Sequence, residues 1–175
     1  MTVSFPLAPD FSRPLEVIQT NHLRMEKRAA LLLRLTAYLR DAGCDDQARQ
    51  TAGHILRYFD DTGIKNCEDE ELDLFPAMLD AVPNSSRASM AALVGNLTEQ
   101  HREMHRLWET LRQRLASIAA GGRSALDANT CDLFHTLYLA HIEYEEAELM
   151  PLARRCLSAT ALERIGGSMA ARRGA

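Results

Sequence analysis

Apolar residues recur at three- and four-residue steps along four long stretches of the chain. In the first, Leu15, Ile18, His22, Met25, Ala29, Leu32, Thr36 and Leu39 share one helical face. Ser12, followed by Arg13 and Pro14, reads as an N-cap and early helical positions, and Asp41-Ala42-Gly43 as a stop. The pattern predicts a second helix from about Asp46 to Leu79, with Leu56, Phe59, Leu74 and Met78 inward and a bend where Gly53 and Gly63 weaken it. Pro83, Asn84 and Ser85 make the next turn. A third stripe carries Met90, Val94, Leu97, His101, Met104, Trp108, Leu111, Leu115 and Ile118, and Gly121-Gly122 ends it. The fourth carries Leu126, Phe134, Tyr138, His141, Leu149 and Leu152, with Pro151 near its end as a kink or a stop. Phe59, Trp108, Phe134 and Tyr138 read as core aromatics. Four long helices with short connections predict an all-α, up-down antiparallel four-helix bundle over residues 13–156. Residues 1–12 form an arm. Residues 157–175 form an extension with a short helix and a frayed, solvated basic tail, Ala170-Ala171-Arg172-Arg173.

Composition narrows the class. With 175 residues, 46% hydrophobic and 25% charged, the chain suits one soluble domain that buries a core without staples. A net charge of −4 offers nucleic acid no electrostatic footing. No apolar run is long enough to span a membrane, and the N-terminus lacks the basic start and apolar stretch of a secretory signal. Cys44, Cys67, Cys131 and Cys156 are far apart, with no CxxC pair, which predicts reduced thiols in a cytoplasmic protein.

The chemistry lies where polar residues interrupt the apolar stripes. His22 is on the inner face of the first helix. Asn66 and Glu70, His101 and His105, and His141 and Glu145 are each spaced by four, so each pair shares a helical face. Burying several ionisable groups costs several kcal/mol each unless they are paired or metal-bound. Imidazole plus carboxylate suits iron, manganese or zinc. In an up-down bundle these positions come to similar depths, given a rise of about 1.5 Å per residue. The chain also echoes itself. Residues 70–76 and 145–151 both read Glu-Glu-x-x-Leu-x-Pro, with Asn66 four before the first and His141 four before the second.

From His22 to Pro151 these residues resemble the hemerythrin-like (HHE cation-binding) family. That pattern has a His on helix one, HHxxEExxLFP on helix two, HxxxH on helix three, and HxxxEE followed by LxP on helix four. The resemblance implies a left-twisted four-helix bundle holding two irons bridged by Glu70 and Glu145, with His22, His101, His105 and His141 as terminal ligands. Manganese or zinc are alternatives. Asn66-Cys67 replaces the expected His-His pair. Asn66 either binds through its amide oxygen or leaves a position open. Cys67 points about 100° away and ligates only if the helix is rotated. Glu26, Glu71 and Glu146 stand as further candidates, although a solvated helix face explains each. The family implies binding or sensing of dioxygen, nitric oxide or iron. The alternatives are an enzyme acting on peroxide, nitric oxide or damaged iron clusters, and a metal-free scaffold for a protein partner.

Overall fold

The computed structural model describes residues 10–175, and the described residues are all-helical, without strands. Four long helical runs and one shorter helix account for nearly all of them. Helix α1 is Pro14–Ala42. Helix α2 is a continuous run over 46–81, in which Asp46–Arg57, Ile64–Glu68 and Phe75–Ala81 are joined by wide π turns at Tyr58–Gly63 and Asp69–Leu74. Helix α3 is Asn84–Ala119. Helix α4 runs over 128–156, with a π turn at Glu145–Leu149 between Ala128–Tyr144 and Met150–Cys156. Helix α5 is Ala159–Arg173. The first nine residues of the expected arm lie outside the described residues.

Local chemistry sets the boundaries. Asp45, Asp127 and Ser158 each accept a hydrogen bond from the backbone N–H three residues on, capping α2, α4 and α5. The expected cap at Ser12 is corrected: its hydroxyl bonds Asp10, and Arg13 occupies the N-cap ahead of Pro14 without a side-chain cap. Gly43 closes α1 with φ +78°, a conformation that a side chain would strain. Neither proline of the repeated motif ends its helix. Pro76 and Pro151 each follow a π turn by two residues. The wider turn accommodates the missing N–H and the ring that would clash in a regular α-helix.

Helix α1 packs on α2 and α4, α2 on α3, and α3 on α4. Two apolar cores result. One includes Met25, Leu32, Ile55, Phe59, Met104, Trp108, Phe134, Tyr138 and Ile142. The other includes Leu15, Ile18, Leu74, Phe75, Met78, Leu97, Leu149 and Met150. Phe59 anchors the first, with its ring 5.0 Å from Trp108, 5.2 Å from Phe134 and 5.3 Å from Tyr138. Each fully buried side chain of this size contributes about 1.5–3 kcal/mol. Leu56 is only half-buried; Ala52 and Ile55 take the inward positions. Helix α5 crosses α1 and the second π turn of α2. The expected frayed tail is corrected here, because Arg172 and Arg173 are helical and both pair with buried Asp69. No helix of the described residues is long and apolar enough to cross a membrane.

Candidate metal centre

A polar layer separates the two cores. His22 lies between Ile18 and Met25, His101 between Leu97 and Met104, and Glu145 between Ile142 and Leu149, and each is buried. Asn21, Asn66, Asp69, Glu70 and His141 are the other buried polar residues among those described. The helical stripe carries each of these positions inward, and its interruption by ionisable groups builds the layer.

Ligand atoms of Glu70, His101, His141 and Glu145 all lie within 4.8 Å of one another. His101 Nε2 is 3.2 Å from Glu70 Oε2 and 3.1 Å from His141 Nε2, which in turn is 3.4 Å from Glu145 Oε1. His22 approaches the same carboxylates from α1, with Nε2 3.0 Å from Glu145 Oε2 and 3.5 Å from Glu70 Oε1. Despite this proximity, His22 Nε2, Glu70 Oε2 and both Glu145 carboxylate oxygens make no hydrogen bond. Buried polar atoms without partners are costly, and here they converge.

The outer nitrogen of each imidazole is held. Nδ1–H of His22 donates to Glu146 at 2.8 Å, that of His101 to Glu71 at 2.6 Å, and that of His141 to the Gln100 side-chain oxygen at 2.8 Å. Phe75 stacks against His101. Such bonds select the tautomer and aim Nε2 inward, as outer-shell partners of metal ligands do. Sequence reasoning assigned Glu71 and Glu146 to the surface and missed Gln100 altogether. Half-exposed positions carry no stripe signal, although the doubled Glu of each repeat was the available clue.

The charges of the metal-free layer follow from this geometry. Burial lowers His22, but the carboxylates of Glu145, Glu146 and Glu70 more than reverse it, holding the ring up to about 12. Burial likewise lowers His101, and Glu70 and Glu71 raise it to about 10. Burial and the neighbouring His101 cation push His141 down to about 3. Burial also acts against the Glu70 carboxylate, but His101 and His22 hold its pKa down; burial and the Glu70 charge raise that of Glu145. Two imidazolium cations therefore balance the buried carboxylates.

The layer has approximate two-fold symmetry. His22 corresponds to His101, Glu70 to Glu145, Glu71 to Glu146, and both glutamate pairs span π turns. Asn21 and Gln100 precede the two histidines, and each bonds the residue four before the buried glutamate: Asn21 donates to Asn66 at 3.2 Å, and Gln100 accepts from His141. Position 66 breaks the symmetry. Its amide NH2 donates to Glu70 Oε1 at 2.5 Å while its oxygen faces Asn21.

A family model described as Hemerythrin HHE cation binding domain matches residues 13–153. The chain belongs to the hemerythrin family. A curated relative from Haemophilus influenzae, named only as an uncharacterized protein, is 29% identical over 163 residues, which cover 93% of this chain and 91% of its own.

Within this hemerythrin-family domain the other candidates lie apart. His105 is a correction: its side chain is 62% exposed, and Nε2 is 3.8 Å from Glu109 on the same helix. Inward steps alternate four and three residues through Leu97, His101, Met104 and Trp108; a second successive step of four puts His105 about 80° from Leu97 and off the stripe. Glu26 is half-buried and is not among the side chains that converge. Cys67 is half-buried in the wall of a cleft of about 630 Å³ whose lining includes Phe59, Trp108, Tyr138, Glu71 and His101. Burial, then the charges of Glu70, Glu145 and Glu71, push its thiol well up, and Cys67 is not among the side chains that converge.

The donor set fits a metal. Three inward imidazoles and two carboxylates with unbonded oxygens are borderline-hard donors suited to iron, manganese or zinc.

Proposed function

We propose that this hemerythrin-family domain holds two iron ions between its apolar cores and binds or senses dioxygen, nitric oxide or iron. His101, His141, Glu70 and Glu145 would hold one ion. His22 and the same two carboxylates would hold the other, with Asn66 where the symmetry places a histidine. Manganese or zinc fits the same donors. The observation that carries this reading is the convergence of four buried atoms that make no hydrogen bond. Buried polar atoms left without a hydrogen bond are costly, and a metal ion that these atoms face would offset that cost.

An iron pair supplies a redox-active Lewis acid with a position for a diatomic. The chain's own residues do the rest. Glu146, Glu71 and Gln100 keep three Nε2 atoms inward. Asn66 turns its amide NH2 to Glu70 and so orients that carboxylate, leaving the His22 side one ligand short. The same reading includes an up-down order of the four long helices, supported by the ring of contacts α1–α2–α3–α4–α1. It also includes a cytoplasmic setting, supported by four free cysteines.

One observation favours turnover instead. The cleft that reaches His101 and Glu71 is larger than a diatomic needs. That space suits chemistry on peroxide or iron delivery to damaged clusters.

Metal analysis of protein from iron-rich cells tests the first reading, with two irons per chain expected. Chains carrying far less than one equivalent of any transition metal would leave the scaffold reading. Anaerobic reduction followed by air then separates the first two. A reversible absorption change supports binding, and irreversible oxidation with loss of added peroxide supports turnover.

A further inference from the structure

Helix α5 delivers two arginines to the turn that carries Glu70 and Glu71. Arg173 grips Asp69 with both terminal nitrogens, at 3.0 and 2.6 Å, and Arg172 bonds the same carboxylate. Arg172 also donates to Asp73 at 2.7 Å and lies 3.4 Å from Glu68. Asp69 is fully buried, and Asp69 and Asp73 both belong to the π turn Asp69–Leu74. Ile165 and Met169 are buried and seat the helix. Arg173 also donates to the Met169 carbonyl and lies over the Phe11 ring. The symmetric turn Glu145–Leu149 has no such grip. There Glu146 receives His22 and Gln19, the latter itself bonded by Arg154 of α4.

We propose that α5 is a clamp on the metal-binding turn: Arg172 and Arg173, through Asp69, position Glu70 and Glu71, so that docking of α5 and metal occupancy are linked. The proposal rests on the metal reading above. Asp69 precedes Glu70 directly, and a carboxylate gripped by one bidentate guanidinium fork and bonded by a second guanidinium has little rotational freedom. Asn66 leaves α2 as the ligand-poor side of the layer, and this is the side the clamp holds. Linkage is reciprocal, so metal must tighten α5 as much as α5 tightens metal.

Two variants test it. Replacing Arg172 and Arg173 by Lys keeps both charges and removes the forks. The triple change Arg172→Ala, Arg173→Ala and Asp69→Asn removes both guanidiniums together with the buried Asp69 charge, leaving the less buried Asp73 and Glu68 without their Arg172 partner. Competition with a chelator for zinc should show affinity lowered by about ten- to a hundred-fold, the usual effect of losing an outer-shell partner. In metal-free protein, amide exchange should accelerate over 69–74 and not over 145–149. Metal should slow exchange over 159–173 in the parent chain and not in the triple variant. Unchanged affinity together with unchanged exchange over 69–74 overturns the proposal. If the triple variant fails to fold, the Lys pair decides. If the parent chain takes up no zinc or iron, the metal reading fails, and exchange in the metal-free protein decides whether α5 orders the turn.

Discussion

Loading the metal-free protein with divalent metal at about pH 8 should release two protons from imidazole rings. Against the opposing effect of burial, Glu145, Glu146 and Glu70 hold His22 up to about 12, and Glu70 and Glu71 hold His101 up to about 10, so both rings are cations. His141, pushed down to about 3 by burial and the His101 charge, is already neutral. A ligating imidazole presents a bare Nε2. The Nδ1 protons stay on the rings, donated to Glu146 and Glu71, so one Nε2 proton leaves each cation. The protons are displaced by metal, so affinity rises with pH. For loading both ions the combined slope is about two log units per pH unit from neutrality to about 10, one for each ion, then about one as His22 alone remains charged. At lower pH Glu145, raised by burial and by Glu70, adds a further fraction. Calorimetric titration with zinc in buffers of different protonation enthalpy counts the protons. Metal-bound water can also lose a proton, so the decisive number is the difference between parent and His22→Ala, expected to be one. Equal release from both proteins would refute the charge assignment.

Four further outcomes follow from the same geometry. Asn66→His should tighten the weaker metal position by about tenfold or more in chelator competition, since even outer-shell losses cost that much; unchanged affinity would break the symmetry argument at position 66. His105→Ala should leave metal content unaltered and change unfolding free energy by no more than about 0.5 kcal/mol in urea. Gly166→Ala would drive a methyl into the Phe11 carbonyl oxygen, with Pro14 beyond, and should cost about 1–3 kcal/mol in thermal unfolding. For the metal-free protein, stability from the raised His22 and His101 is complete below their ordinary value of 6.5 and is lost as pH rises toward 10 and 12. That from the lowered His141 is present above 6.5 and is lost as pH falls toward 3. The raised Glu145 loses its contribution as pH rises from 4.5 to about 7, opposing the His141 gain, so urea midpoints should be highest between about 4.5 and 6.5 and shift to higher pH once metal replaces the imidazole protons.

The sequence alone determined the helical stripes, because a 3.6-residue period is local and survives in any packing. It also identified His22, Glu70, His101, His141 and Glu145 as interruptions of those stripes, and the structure places these five in one layer. It marked Asn66 as the odd position through the repeat with His141. Tertiary structure decided what periodicity cannot register. His105 shares a nominal face with His101, yet two successive four-residue steps carry it about 80° from Leu97 and turn it to solvent. Glu71 and Glu146 look like surface charges along their helices, and only the opposing histidines of α3 and α1 make them orienting groups. Gln100 acquires its role from His141, 41 residues away in the chain. Arg172 and Arg173 read as solvated tail until α5 folds back on Asp69, more than a hundred residues distant. A π turn widens the helix by one residue per turn, so the phase at Glu70 and Glu145 departs from the regular repeat where the metal ligands sit. Which side chains meet across the layer depends on the relative rotation of the helices and on those turns, and neither is written in the spacing of a single helix.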